Sequence, residues 1–179
     1  MKKIANYLVR LSALALALGA ANFAMASDGE VLFSGNISAP TCKVDVGGSN
    51  LVVTLPTVSV QTLNAPGKTA GRTPFNISLS GCEASMDMVA IFFEPGKNTS
   101  QSDNRLINSL NPNGNVQLQL LNKDMTVIKL GNDKNGQGAQ SVPVVQGRAN
   151  LEYFVEYYAT GNASAGAVSS STEFLVVYP

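Results

Sequence analysis

The sequence predicts an all-β protein, a single antiparallel β-sandwich with an immunoglobulin-like outline and one disulfide. Short segments alternate apolar and polar residues with a period of two, and clusters of turn-forming residues separate them. No segment carries a sustained apolar stripe with the 3.6-residue period of a helix. The 179 residues are also about the length of one domain, and we see no internal repeat or interdomain linker. Many short strands at this spacing are typical of sandwiches.

Each predicted strand rests on its own alternation. The clearest case is Phe75, Ile77 and Leu79, which alternate with polar residues before a glycine. The full set of predicted strands is 41–46, 51–55, 75–80, 89–93, 116–120, 126–130, 150–159 and 172–178. The turn clusters between them are 47–50, 65–67, 95–96, 111–114 and 131–138.

The first 26 residues are predicted to be a secretory signal peptide. A basic head containing Lys2 and Lys3 precedes a short apolar centre from Leu11 to Ala21. Small residues at Ala24 and Ala26 then suit a signal-peptidase cleavage site. The apolar centre is shorter than the roughly 20 residues that span a bilayer. Cleavage after Ala26 would leave nine basic and twelve acidic residues.

Export determines how the two cysteines are interpreted. In an oxidising compartment, a lone pair such as Cys42 and Cys82 is most simply one disulfide. The alternative is a pair of buried reduced thiols, which export disfavours. In the chain-entropy model, closing a loop of this length would stabilise the fold by roughly 4 kcal/mol.

The composition argues against several classes of function. The chain has no histidine, the commonest general base and metal ligand, so we expect no enzyme, no metal site and no cofactor. Basic and acidic residues are equal in number and form no block of one sign, so nucleic-acid binding is not expected.

Two carboxylates, Glu152 and Glu156, are spaced along the predicted strand 150–159. Such a pair could suggest glycosidase chemistry. In a strand, however, they simply share one face with Phe154 and Tyr158. We therefore expect a solvated edge or rim at this position.

Four sequence features occur together in an informative order. The segment GEVLFSGNIS precedes the first cysteine, and RTPFNISLSGC ends on the second. Gly166 lies about fourteen positions from the end, and Tyr178 is the penultimate residue. In this order and spacing, over essentially the whole mature chain, the sequence resembles the structural subunits of chaperone-usher pili, the type 1 fimbrial pilin family.

The resemblance implies an incomplete immunoglobulin-like sandwich that lacks its final strand and is completed by a donated one. It divides the chain into a signal peptide (1–26), an N-terminal extension that serves as donor strand (27–40) and a pilin domain (41–179). The implied partners are identical or related pilin subunits, a periplasmic chaperone, an outer-membrane usher and a tip adhesin. The implied location is a fimbria on the cell surface, reached through the periplasm, with a role in bacterial adhesion.

Family roles carry over to individual positions. The donor face comprises Gly29, Val31, Phe33, Gly35 and Ile37, with Gly35 where the groove leaves no room for a side chain. Phe174, Val176 and Tyr178 belong to the last strand, which lines the groove and is gripped by the chaperone. Gly166 is grouped with these groove residues.

Other interpretations stay open at this stage. Residues 29–38 could instead fold back as the molecule's own first strand, since alternation alone would look the same. Only two residues precede Gly29 in the mature chain, which also admits a minor or adaptor subunit. From a different class, the alternative is a monomeric secreted carbohydrate-binding sandwich.

Overall fold

The structure is a computed structural model that describes Ser34, residues 42–45 and residues 51–179. The chain divides into two compact units, Met1–Ser38 and Ala39–Pro179. Of the first unit only Ser34 is described, and it is exposed. The fold below is that of the second unit.

Eight antiparallel strands form two sheets within the described residues. They are β1 (Lys43–Val44), β2 (Thr69–Ser80), β3 (Met88–Glu94), β4 (Leu106–Ile107), β5 (Val116–Asn122), β6 (Val142–Pro143), β7 (Ala149–Ala159) and β8 (Glu173–Val177). The larger sheet has the strand order β1-β2-β7-β5-β4, and the smaller has the order β6-β3-β8. One 3-10 helix, Val60–Leu63, precedes β2. The predicted all-β fold with antiparallel sheets is confirmed.

The long strands β2 and β7 pair along most of their length and form the centre of the larger sheet. Their pairing shifts register between Ala70 and Thr73, next to Gly71. Gly71 has a φ of +67°, and a Cβ added there would lie 2.8 Å from the Tyr157 ring. A side chain larger than hydrogen would therefore clash with β7 at this bulge.

The core fills the space between the two sheets. Ile77 of β2, Leu151 of β7 and Ile91 of β3 are each only 1% exposed. Tyr153 packs its ring against Phe75 at 5.6 Å and edge-on against Phe93 at 5.2 Å between ring centres. Aromatic contacts therefore join the two sheets near the middle of the sandwich.

The observed strands differ from the predicted ones in three places. Of the predicted strand 41–46, only Lys43–Val44 is a strand among the described residues. The predicted strands 51–55 and 126–130 are not strands, although Ile128 and Leu130 are fully buried as their alternation suggests. The Ile128 and Leu130 amides donate to Leu120 and to Asn104, so no regular ladder with one partner strand forms. The two-residue strands β4 and β6 are too short for alternation to predict.

The expectation of a solvated carboxylate rim is wrong for Glu156. This side chain is only 2% exposed although it points away from the core. It forms a salt bridge with Arg72 at 2.9 Å and accepts a hydrogen bond from the Gln119 amide at 3.1 Å. Neighbouring strands supply both partners, so the charge is buried but compensated. Glu152 is more exposed and pairs with Lys123.

Within the described part of the chain, no helix is long and apolar enough to cross a membrane.

Candidate strand-accepting groove

An open groove of about 780 Å³ runs into the sandwich between the two sheets. Its floor is the apolar core itself, including Ile77 of β2, Leu118 of β5 and Val155 of β7. Its lining also includes Leu51, Val53 and Leu55, here called the first wall, and residues 170–174, which lead into β8 and are here called the second wall.

The first wall has the sequence of a strand, but no strand among the described residues pairs with it. Val53 and Leu55 pack against the core, whereas Val52 is 82% exposed. Among the described residues, 51–58 make no backbone hydrogen bond. This segment therefore offers unpaired N–H and C=O groups along the groove.

The second wall is the free edge of the smaller sheet. Strand β8 pairs with β3 on one side, from Ala90↔Val177 to Glu94↔Glu173, and with no described strand on the other. Leu175 is 49% exposed, and Phe174 is only partly buried. Within the described part of the chain both walls thus present unpaired backbone groups, with which an extended chain could pair.

An unoccupied groove is unfavourable because its apolar floor stays in contact with water. A segment of chain lying in the groove would bury that floor.

Two carboxylates lie at the end of the groove where β8 begins. Glu94 and Glu173 are directly opposite on neighbouring strands, and both line the groove. Neither forms a salt bridge with another described residue. Like charges in this arrangement repel, so this end of the groove is polar and negatively charged.

The disulfide lies at the other end of β8. Cys42 and Cys82 are bonded, with Cα atoms 4.1 Å apart, so the predicted cross-link is confirmed. The Cys42 amide donates a hydrogen bond to the Tyr178 hydroxyl at 3.4 Å. The start of the domain, the end of β2 and the end of the last strand therefore meet at one place.

The predicted groove residues are only partly brought together. Phe174 lines the groove, whereas Val176 and Tyr178 pack against the main core cluster further along the last strand. Gly166 is exposed in the loop before β8, with a φ of +155°, and does not line the groove. The predicted donor residues Gly29, Val31, Phe33, Gly35 and Ile37 lie outside the described residues.

Sequence reasoning did not assign the first wall to the groove. Leu51, Val53 and Leu55 carry a period-two signal that predicts a strand. That signal does not reveal whether the strand has a partner. Among the described residues there is also no group of three or more potential metal-binding side chains of the His, Cys, Asp or Glu type.

Comparison with known proteins agrees with this geometry. The family described as Type-1 fimbrial protein, A matches residues 55–179. The F17 fimbrial protein of Escherichia coli is 38% identical, over 91% of this chain and 94% of its own. The major fimbrial subunit SMF-1 of Stenotrophomonas maltophilia is 41% identical, over 87% and 95%. The minor fimbrial subunit HifD of Haemophilus influenzae is 34% identical, over 87% and 76%.

Solved structures share the fold at low sequence identity. A subunit from the structure of a chaperone-usher pilus matches with a TM-score of 0.62 and 16% identity, over 86% of this chain and 96% of its own. The P pilus rod subunit PapA matches with a TM-score of 0.59 and 16% identity, over 79% and 100%. The family match and the fimbrial relatives, both major and minor, lead to one conclusion: this chain belongs to the type 1 fimbrial protein family and is a structural pilin subunit of a chaperone-usher fimbria.

Proposed function

We propose that this pilin polymerises by donor-strand exchange, in which the N-terminal extension (27–40) of one subunit fills the groove of the next. The observation that carries the proposal is the groove itself, with an apolar floor and with wall segments whose backbone is unpaired among the described residues. A donated strand would hydrogen-bond to both walls and bury the floor with alternate side chains. Gly29, Val31, Phe33, Gly35 and Ile37 are the side of the extension that faces the floor.

On this proposal the inserted strand runs antiparallel to β8, as every described strand pair in both sheets does. In this direction the C-terminal half of the extension lies beside Glu173, where β8 begins. The body of the donor then follows beyond that end of the groove. A head-to-tail contact of this kind does not close on itself and produces a fibre.

The same open groove explains why an assembly pathway is needed. A free subunit exposes an unpaired edge over its core, which is an aggregation hazard. A periplasmic chaperone would cover Phe174, Val176 and Tyr178 on the last strand until an outer-membrane usher exchanges it for a donor strand. On this proposal the signal peptide (1–26) is removed on export, the pilin domain (41–179) reaches the cell surface within a fimbria that carries a tip adhesin, and the subunit is not an enzyme.

A peptide that carries the extension tests the proposal. The mature chain is unfolded with its disulfide intact and refolded at low concentration, with and without excess SDGEVLFSGNIS peptide. We expect peptide-bound monomer in the first case and oligomers in the second, as measured by size-exclusion chromatography with light scattering. A peptide with Gly35→Leu should fail to bind, because overpacking a tight site excludes it. The matched Ser34→Leu peptide, altered on the opposite face, should still bind.

A stable full-length monomer that ignores the peptide would overturn donor-strand exchange. That result would instead favour an extension that completes its own domain.

A further inference from the structure

Ser170 is a polar residue in the wall of the groove, three positions before β8. Its hydroxyl oxygen is buried and has no hydrogen-bond partner. Two other buried side-chain atoms of the described residues also lack a hydrogen-bond partner, Gln117 Oε1 and the Tyr153 hydroxyl, but neither residue lines the groove. Of these three residues, Ser170 is therefore the one that belongs to the groove wall.

The residues on either side of Ser170 are fixed to the body of the domain. The Ser169 amide donates to Asn108 Oδ1 at 3.1 Å, and its carbonyl accepts from the Ser109 amide at 2.8 Å. The Asn98 amide group donates to both the carbonyl and the hydroxyl of Ser171. Ser170 is held between these anchored neighbours. Because buried polar groups in folded proteins are nearly always paired, its missing partner calls for an explanation.

We propose that Ser170 fixes the register of the donated strand by hydrogen-bonding to its main chain. This inference rests on the proposed function, and the occupant is residues 29–38 of a second copy of this chain. The face of that segment assigned to the groove carries Gly29, Val31, Phe33, Gly35 and Ile37, none with a polar side chain. Only its backbone N–H and C=O groups could therefore pair with the Ser170 hydroxyl.

The partner is the backbone at Gly35. Antiparallel insertion places the C-terminal half of the donor beside residues 170–174, and Gly35 lies in that half. Since glycine has no Cβ, a hydroxyl in the wall can approach the main chain there. A strand slipped by one residue would present a side chain from the opposite, largely polar face and leave Ser170 unpaired. The hydroxyl therefore stabilises one register of the bound strand relative to the others.

The test measures how long a bound donor peptide persists. The full mature chain, with its disulfide intact, is refolded with fluorescein-labelled SDGEVLFSGNIS, and dissociation is followed after a chase with unlabelled peptide. Ser170→Ala should speed dissociation about fivefold, the factor for one net hydrogen bond. Ser170→Thr keeps the hydroxyl and should behave nearly as the parent does. Ser169→Ala is the matched control, because that exposed hydroxyl makes no hydrogen bond among the described residues.

The direction in which Ser170→Ala changes the dissociation rate shows whether the hydroxyl is paired in the filled groove. If the hydroxyl stays unpaired when the groove is filled, replacing it with a methyl group relieves a buried polar atom, and the peptide should dissociate at the same rate or more slowly. Either result overturns the proposal.

A second measurement tests the partner atom that is assigned to Ser170. Two peptides carry an ester in place of the amide on either side of Gly35. One of them should lose affinity in the parent, and that loss should shrink in Ser170→Ala. If neither ester is coupled to Ser170, the proposed partner is wrong. Failure of the proposed function looks different, because the parent would then bind no peptide at all.

Discussion

Strands β7 and β8 occupy contrasting positions in the same sandwich. Strand β7 has β2 on one side and β5 on the other, and its core-facing residues Leu151, Tyr153 and Val155 are at most 5% exposed. Among the described strands β8 pairs with β3 alone, and its apolar residues remain partly open to solvent. Even on the outer face of β7, the buried Glu156 side chain finds a partner in Arg72.

The comparison shows that β8 is more apolar than its partly exposed position requires. The run Phe174–Val177 is apolar on both faces, a pattern typical of strands that are buried on both faces inside a sheet. Among the described residues, β3 is the one strand that pairs with β8. Strand β7 is thus complete within its own chain, whereas β8 has the composition of a central strand in an edge position.

The largest expected effect comes from removing the segment that would complete β8. Deletion of residues 27–38 after the signal peptide should abolish donation and leave the groove intact. The truncated subunit should accept a strand and then cap the fibre. Co-expressed with the parent, it should shorten fimbriae seen by electron microscopy. If fimbriae keep their length while containing the truncated subunit at internal positions, β8 is completed by something other than this segment.

Loss of the disulfide should destabilise the subunit more when the groove is open than when a donor strand fills it. The double variant Cys42→Ser and Cys82→Ser removes a cross-link between residues 40 positions apart. In the chain-entropy model this costs about 4 kcal/mol of unfolding free energy. We expect little soluble subunit unless donor peptide is present during refolding, as measured by recovery on size-exclusion chromatography. Equal recovery of variant and parent without peptide would contradict this.

A pair of core substitutions compares the two strands directly. Leu151→Ala on β7 should lower the unfolding free energy by about 3 kcal/mol whether or not the groove is filled. Phe174→Ala on β8 should lower the unfolding free energy mainly in the peptide-bound form, because on the proposed function the ring becomes fully buried when a strand covers it. Denaturant unfolding with and without donor peptide measures both. If donor peptide changed the destabilisation of both variants equally, the proposed difference between β7 and β8 would be wrong.

The smallest effect concerns a carboxylate beside the larger sheet. The Gln117 amide of β5 donates to Asp103 at 2.9 Å and, together with Ser100, lowers the pKa of Asp103 below its ordinary value. Since the folded pKa lies below the unfolded one, this contribution is complete above the unfolded pKa and is lost as pH falls through the folded pKa. Asp103→Asn should therefore destabilise at neutral pH by less than about 1 kcal/mol, because the group is exposed.

The difference between parent and Asp103→Asn should disappear in acid. Unfolding free energies at pH 7 and at about pH 2 measure this change. Asp87→Asn is the matched control, since its carboxylate makes no hydrogen bond among the described residues. A difference that persists unchanged in acid would show that the Asp103 carboxylate is not responsible.

Sequence patterning predicts the core-forming strands well because burial follows side-chain alternation. It is less informative about pairing. Residues 51–55 and 126–130 both alternate as strands do. The first segment nevertheless has no hydrogen-bonded neighbour in the described part of the chain, and the second bonds irregularly to several segments. Glu156 was misjudged for a related reason, since Arg72 and Gln119 are distant in sequence and adjacent only in the sheet. Alternation indicates which face of a strand a residue occupies. Its hydrogen-bond and ion-pair partners depend on which strands the fold brings together.

The bond between Cys42 and Cys82 has a mechanical consequence for a fibre joined by donated strands. Tension along such a fibre enters each subunit through the extension and therefore reaches Cys42 first. The covalent bond transfers that load at once to the end of β2, which pairs with β7 over most of its length. The two-residue strand β1 is spared from peeling away, and the chain between the cysteines carries little force. A pulled fibre should consequently yield at its non-covalent joints before the subunits unravel.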